Sequence, residues 1–246
     1  MRPFTCPDIA VNEYKYRMEM HAHTRPASPC GDKTPAEVVE VYSRCGYDAV
    51  VITNHFKANY EKESGELIAR DYEAAVKAGE EKGIKVLFGV ELTFYDTYGD
   101  YLVYGVEPSD MNEMYDLLQR GHKSFAASPL RKKSMVFFAH PYRGKEKSGI
   151  DFHLEDMTDG VESFNMHAEV NSDNGYMTRQ AYKENMLTIC GTDYHHEGHE
   201  AMSALLVKKV PDTVAELRDL LRSGDYLFEI NGNVIIPSHR MIRNDQ

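Results

Sequence analysis

Strand-like runs of four to six residues recur along the chain, and most are followed closely by a polar residue able to bind a metal. The runs are Tyr16–Met20, Ala49–Thr53, Lys85–Val90, Tyr101–Val106, Met135–Ala139, Val161–Phe164 and Leu187–Cys190, with later ones at Ser203–Val207 and Tyr226–Ile230. Several are almost continuously apolar, the pattern of strands buried on both faces of a parallel sheet. Between them lie segments of helical periodicity with readable ends. Thr34-Pro35-Ala36-Glu37 is a capping box with proline at the first helical position; Val38, Val39, Val41 and Tyr42 follow as an apolar face, and Gly46 ends the helix. Further helices are expected over Leu67–Lys82 with a stop at Gly83, from a Ser109 cap to Gly121, over Tyr176–Asn185, and over Asp212–Ser223 with Leu217, Leu220 and Leu221 inward. Strand and helix in alternation predict a parallel α/β fold. No repeat, low-complexity tract or long linker divides the chain, so residues 1–246 read as one domain.

One connection departs from this scheme. About ten residues separate Glu91 from Leu102, too few for a helical crossover, and Thr97-Tyr98-Gly99-Asp100 reads as a turn. The Tyr101–Val106 strand is therefore expected to run back antiparallel, with Asp100 at the same end of the sheet as Glu91.

The polar residues at the strand ends form a series: His21 and His23, then His55, Glu91, His140, Asn165, and Asp193 with His195. Residues i and i+2 of an extended strand share a side, so His21 and His23 present two imidazoles together, and Asp193 and His195 repeat the arrangement. Any one histidine after a strand is more often a packing or capping residue, and any one acid an ordinary turn or salt-bridge residue. Their recurrence at successive strand ends is what points to a metal site, because the C-terminal strand ends of a parallel barrel converge on one face.

These segments resemble the polymerase and histidinol phosphatase (PHP) domain family. His21-Ala22-His23-Thr24 is similar to its HxHT motif, Thr53-Asn54-His55 to its T-x-H motif and Gly89-Val90-Glu91 to its strand-borne Glu motif. His140-Pro141 resembles the HP motif, Glu162-Ser163-Phe164-Asn165 the E-x-x-N segment, and Gly191-Thr192-Asp193-Tyr194-His195 the closing GSD-x-H motif. The resemblance covers about Tyr16 to Val207 and implies a distorted (β/α)7 TIM-like barrel carrying two or three divalent metals. It implies that His21, His23, Glu91 and Asp193 hold a first metal, that Glu91 bridges to a second held also by His140, and that His55 and His195 serve a third. Two departures stand out. The family residue completing the third site has Cys30 or Asp32 as candidate replacements here, and the further histidine of the second site is replaced by Asp100.

Such a centre suits phosphate ester hydrolysis: a hydroxide bridging two metals attacks phosphorus in line, and Glu91 can bridge because a carboxylate has two oxygens. His195 or His55 would help the leaving oxygen. Arg143, beside the HP motif, is the favoured phosphate clamp and is expected to be catalytic with Glu91 and His195; Arg25 and Lys57 stand beside other motifs. His167 and His153 have no motif partner, His195-His196-Glu197-Gly198-His199 reads as one ligand followed by an exposed loop, and Tyr142 and Tyr194 are candidate pocket residues.

A net charge of −11 disfavours extended nucleic-acid binding and leaves a small phosphorylated substrate as the expected partner. The four cysteines form no C-x-x-C pair or disulfide framework, and the N-terminus lacks the apolar core of a secretory signal, so a reducing cytoplasm is expected. No apolar run is long enough to span a bilayer. Zinc, manganese and iron all suit the ligand set. The competing readings are an amidohydrolase-type enzyme cleaving C–N bonds, in which a carboxylated lysine often takes the bridging place of Glu91, and a non-catalytic metal-stabilised module of the kind attached to DNA polymerases.

Overall fold

The capping box forms as its sequence predicts: the Glu37 N–H donates to Thr34 Oγ1 and the Thr34 N–H donates to Glu37 Oε2, starting a helix at Pro35. The computed structural model describes residues 4–5, 8–141, 157–167, 173–198, 200 and 202–243. Arg143, Tyr142, His153 and His199 lie outside these described residues.

In chain order the elements are β1 (Phe4–Thr5), β2 (Tyr16–Ala22), α1 (Pro35–Arg44), β3 (Ala49–Ile52), β4 (His55–Lys57), α2 (Ser64–Lys82), β5 (Lys85–Thr93) and β6 (Asp100–Tyr104). Then come α3 (Met111–Arg120), α4 (His122–Ala126), α5 (Pro129–Lys133), β7 (Met135–Phe138), β8 (Gly160–Asn165), α6 (Asn174–Glu184) and β9 (Leu187–Gly191). The chain closes with β10 (Ser203–Val207), α7 (Val214–Ser223), β11 (Leu227–Ile230), β12 (Asn233–Ile235) and β13 (Ile242–Arg243). The starts of two helices differ from expectation. A 3₁₀ turn over Pro108–Asp110 leads into α3, so Ser109 is not its cap, and α7 begins at Val214 behind a Thr213 hydroxyl cap, two residues after the expected start at Asp212.

Among the described residues the main sheet runs β12-β11-β10-β2-β3-β5-β6-β7-β8-β9, with β4 pairing β5 off this path. Strands β2, β3 and β5 are parallel, β6 is antiparallel to both its neighbours, and β7, β8 and β9 are parallel again. The reversal at β6 is the one read from the short connection. It sets Glu91 opposite Leu102 and Thr93 opposite Asp100. The sheet curls until the segment after β9 meets the end of β2 in a parallel bridge between Ala22 and Tyr194. The fold is thus mixed α/β with a curled sheet, and β10 and β11 extend it in antiparallel fashion rather than continuing a parallel barrel.

Both faces of the central strands are covered, which explains their unbroken apolar sequence. On β3, Ala49 and Val51 pack with Met18, Leu87 and Leu102 inside the curl, while Val50 and Ile52 pack outward on Val38, Tyr42 and Ala75 of α1 and α2. Leu217 and Leu221 of α7 join the inner cluster, each worth about 1.5–3 kcal/mol of burial.

His239, on a 3₁₀ turn, fixes the last described segment to β9. The Thr188 N–H donates to its Nδ1 at 3.2 Å, and its Nε2 lies 3.1 Å from the Gly224 carbonyl, so the neutral ring fits both partners. Burial, partly opposed by the Gly224 hydrogen bond, lowers its pKa from 6.5 to about 4. A depressed histidine contributes stability that is complete above the unfolded value and is lost as pH falls towards the folded one. The loss between pH 6.5 and 4 is expected to be about 3 kcal/mol. Urea unfolding of His239→Gln should therefore show a shallower pH slope across this window than the parent chain; identical slopes would refute the assignment.

Candidate metal centre

The ends of the parallel strands bring the series of polar residues together. His21 is the penultimate residue of β2, and His23 follows the strand; both are fully buried. His21 Nε2 lies 3.5 Å from Glu91 Oε2 and 3.3 Å from Asp193 Oδ1. His23 Nε2 lies 3.4 and 3.2 Å from the same two oxygens. The two Nε2 atoms are 3.1 Å apart, so two nitrogens and two carboxylate oxygens face a common point.

Glu91 is the hub. Its Oε1 meets His140 Nε2 at 3.1 Å, while Oε2 meets His55 Nδ1 at 2.7 Å as well as the nitrogens of His21 and His23. His140 also lies 4.0 Å from Asp100 Oδ2 and 4.0 Å from Asp193 Oδ2. Asp100 comes close because β6 is reversed, and its Oδ1 accepts from Thr93 Oγ1. The ring of His23 stacks on His55 and tilts against His195, at 4.3 and 4.5 Å between centroids. Donor atoms fall within 4.8 Å of one another in five groups: His23/His55/His195, His21/His140/Asp193, His21/His23/Glu91, Glu91/Asp100/His140 and His167/Asp193/His195. The last group brings in His167, which sequence had left without a partner. Arg25 is exposed and Lys57 partly buried, and Tyr194 packs on Tyr42 as a core residue.

A second ring of contacts fixes these side chains, and several of its members carry no role in the sequence reading. Glu162 Oε1 lies 2.9 Å from His21 Nδ1, and its Oε2 accepts from the His140 N–H and from Asn165 Nδ2. Asn165 Nδ2 also donates to Asp193 Oδ2. Tying down Nδ1 of His21 leaves Nε2 to face inward, the usual second contact of a metal-binding imidazole. Asn54 Oδ1 accepts from the Thr24 N–H and from Ser28 Oγ, and the Ser28 hydroxyl in turn accepts from the His55 N–H. Glu19 Oε1 accepts from the N–H groups of His21 and Thr192, joining β2 to the segment after β9; burial raises its carboxyl to about 7. The backbone is left-handed at His140 (φ 29°) and Asp193 (φ 52°), a conformation that non-glycine residues adopt mainly where surrounding contacts enforce it.

The charges are strongly interlocked. Burial disfavours the charged form of His21, but Glu162 and Glu91 outweigh it and raise its pKa to about 10. For His55 the same opposition, with Glu91 and Cys30 raising, gives about 9. His23 is driven well below 6.5 by burial and by His55 and His195. Burial would raise Glu91, yet His55 and His21 hold it well below the usual carboxylate range.

The donor set fits divalent transition metals. Glu91 Oε2 and His55 Nδ1, both buried, make no aligned hydrogen bond and face each other as an ion pair at 2.7 Å, a place where a cation can take over both donor atoms. Histidine nitrogens mixed with carboxylate oxygens suit zinc, manganese or iron.

The PHP domain family model matches residues 19–233, past the end suggested by the motifs. A PolC-type DNA polymerase III of Oceanobacillus iheyensis is 26% identical over 169 residues, 61% of this chain and 11% of the polymerase. The chain thus spans about a tenth of that relative. Among solved structures, a two-domain protein from Bacteroides vulgatus containing a predicted PHP-like metal-dependent phosphoesterase has a TM-score of 0.68 at 16% identity, covering 95% of this chain and 69% of the other. An amidohydrolase from Chromobacterium violaceum with bound sulfate and no metal has a TM-score of 0.53 at 15% identity, covering 92% and 97%.

Proposed function

The chain belongs to the PHP domain family, and from that premise we propose that it is a metal-dependent phosphoesterase acting on a small phosphorylated compound. The observation that carries this reading is Glu91: a fully buried carboxylate whose two oxygens are divided among four imidazoles, with Asp193 and Asp100 on its flanks.

In this reading residues 1–246 form one metallohydrolase domain, and the curled sheet is the family's distorted (β/α)7 barrel. His21, His23, Glu91 and Asp193 hold one cation, Glu91, His140 and Asp100 a second, and His55 and His195 serve a third. Bound cations of this kind supply a water acidic enough to attack at neutral pH and relieve charge on the phosphoryl oxygens. The chain supplies positioning and proton handling. Glu162 aims His21, and Asn165 holds Asp193. His195, its Nδ1 2.8 Å from the Asp193 carbonyl and only partly buried, would serve the leaving oxygen through Nε2, either through the cation it holds or, without that cation, as the acid. Arg143 clamps the phosphate in this proposal, on the strength of its place after His140-Pro141. Among the described residues no helix is long and apolar enough to cross a membrane.

Elemental analysis combined with p-nitrophenyl phosphate turnover tests this directly. Two or more metals per chain are expected, with turnover abolished by chelation and restored by metal. Turnover of amides but not phosphate esters would favour the amidohydrolase reading, to which the Chromobacterium violaceum neighbour lends its fold. Bound metals with neither activity would leave a non-catalytic module, and no metal uptake would overturn the proposal.

A further inference from the structure

The loop between His23 and α1 carries a chain of buried side-chain hydrogen bonds in which each proton has one place to go. Thr24, Ser28 and Asn54 are fully buried, and Asp71, on α2, is nearly so. The Thr24 N–H, which can only donate, meets one end of the Asn54 amide at 2.7 Å, so that end is Oδ1. Asn54 Nδ2 therefore faces Thr24 Oγ1 at 2.8 Å and donates to it, and the Thr24 hydroxyl gives its own proton to Asp71 Oδ2 at 2.9 Å. The same Asp71 oxygen accepts from the Ala27 N–H at 3.0 Å, which fixes it as an acceptor.

Ser28 closes this chain on two histidines. Its Oγ lies 2.9 Å from Asn54 Oδ1, an atom with no proton, so the Ser28 hydroxyl donates there. Its lone pairs then face the His55 N–H at 2.9 Å and His23 Nδ1 at 3.4 Å. A hydroxyl has one proton, already given to Asn54, so at the His23 contact the ring nitrogen is the donor. The other ring nitrogen, Nε2, is left with a lone pair. His21 Nε2, 3.1 Å away, can donate to that lone pair in the metal-free chain, and a cation can take it in the loaded one.

We propose that Ser28 is a positioning residue for the metal centre: its hydroxyl holds His23 as the Nδ1–H tautomer and so dedicates Nε2 to the position shared with Glu91 and Asp193. The tautomer follows from the hydrogen bonds alone, and its use in metal binding rests on the metal-centre reading above. Glu162 serves His21 in the same way with a carboxylate, 2.9 Å from Nδ1. Ser28 differs in holding two candidate ligands at once, the ring of His23 and the main chain of His55. Its loss would leave both donors without their acceptor. It would also let the His23 proton move to Nε2, where Asp193 Oδ1 at 3.2 Å can accept it. That proton would then have to leave before a cation could bind.

Long-range proton–nitrogen correlation spectra of the imidazoles in the metal-free, ¹⁵N-labelled full chain test this, with the His23 signals identified by their absence in His23→Gln. A single Nδ1–H tautomer is expected in the parent, and a mixture or the Nε2–H form in Ser28→Ala. The zinc affinity of Ser28→Ala, measured by competition with a chelator, should fall about 10–100-fold. A purely structural role for Ser28 would leave the tautomer unchanged. An Nε2–H tautomer in the parent overturns the proposal, as does Ser28→Ala with either the parent's tautomer or the parent's zinc affinity; each leaves the phosphoesterase reading to its own chelation result. No zinc uptake by a parent chain in the Nδ1–H form overturns that reading and the metal role of Ser28 with it. Should Ser28→Ala fold poorly, the parent spectrum decides: the Nδ1–H form supports the assignment and the Nε2–H form refutes it.

Discussion

Glu91→Gln is expected to remove both the metals and the turnover. The side chain is fully buried, and its replacement keeps the shape while exchanging one oxygen for an N–H donor aimed at imidazoles. It also removes the negative charge that keeps His21 and His55 protonated in the metal-free protein. Metal-based stabilisation of a phosphoryl transition state is worth several kcal/mol. At about 1.4 kcal/mol per decade, kcat/KM should fall by about 10³-fold. Metal content should fall with it, and the far-ultraviolet circular dichroism should not change. Parent-like metal content and turnover in Glu91→Gln would rule out a shared role for this carboxylate.

Gly191→Ala should be nearly as damaging, for a reason that involves no ligand. A Cβ at this position would stand 2.6 Å from His21 Cβ, 2.8 Å from Glu162 Oε1 and 3.3 Å from Glu19 Oε1. The first of these atoms is fixed to the β2 backbone and has no flexible end to swing away. Overpacking of this kind costs about 1–3 kcal/mol. Displacing the Glu162–His21 pair should weaken metal binding by about 10–100-fold, the usual consequence of disturbing a ligand's outer partner. Urea unfolding of the metal-free chain and a metal titration read the two effects separately. Gly175→Ala, in α6 with nothing within 4 Å of the added methyl, is the matched control and should leave both unchanged. Unaltered metal affinity in Gly191→Ala would show that the Glu162–His21 contact does not position the centre.

The parts legible in the sequence are those whose signal is local. Capping at Thr34 needs only four adjacent residues, and the reversal of β6 follows from a connection too short for a helix. Ligand candidates announced themselves by following apolar runs. Contacts between distant segments left no such trace. Glu162 reaches His21 across 141 residues and Glu19 reaches Thr192 across 173, so neither role shows in its neighbourhood. A glutamate between methionines on β2 looks like the polar phase of an ordinary alternation. β4, three residues long, is below the reach of any periodicity, yet it is what sets His55 opposite Glu91.

The bridge between Ala22 and Tyr194 makes the centre a joint between an early and a late stretch of chain, with His23 and Asp193 170 residues apart. Fraying at either stretch separates the same cluster of side chains. The donor set therefore exists only when the intervening chain has completed its path around the sheet. A chain ending short of Asp193 carries the first histidines without the carboxylate that faces both of them.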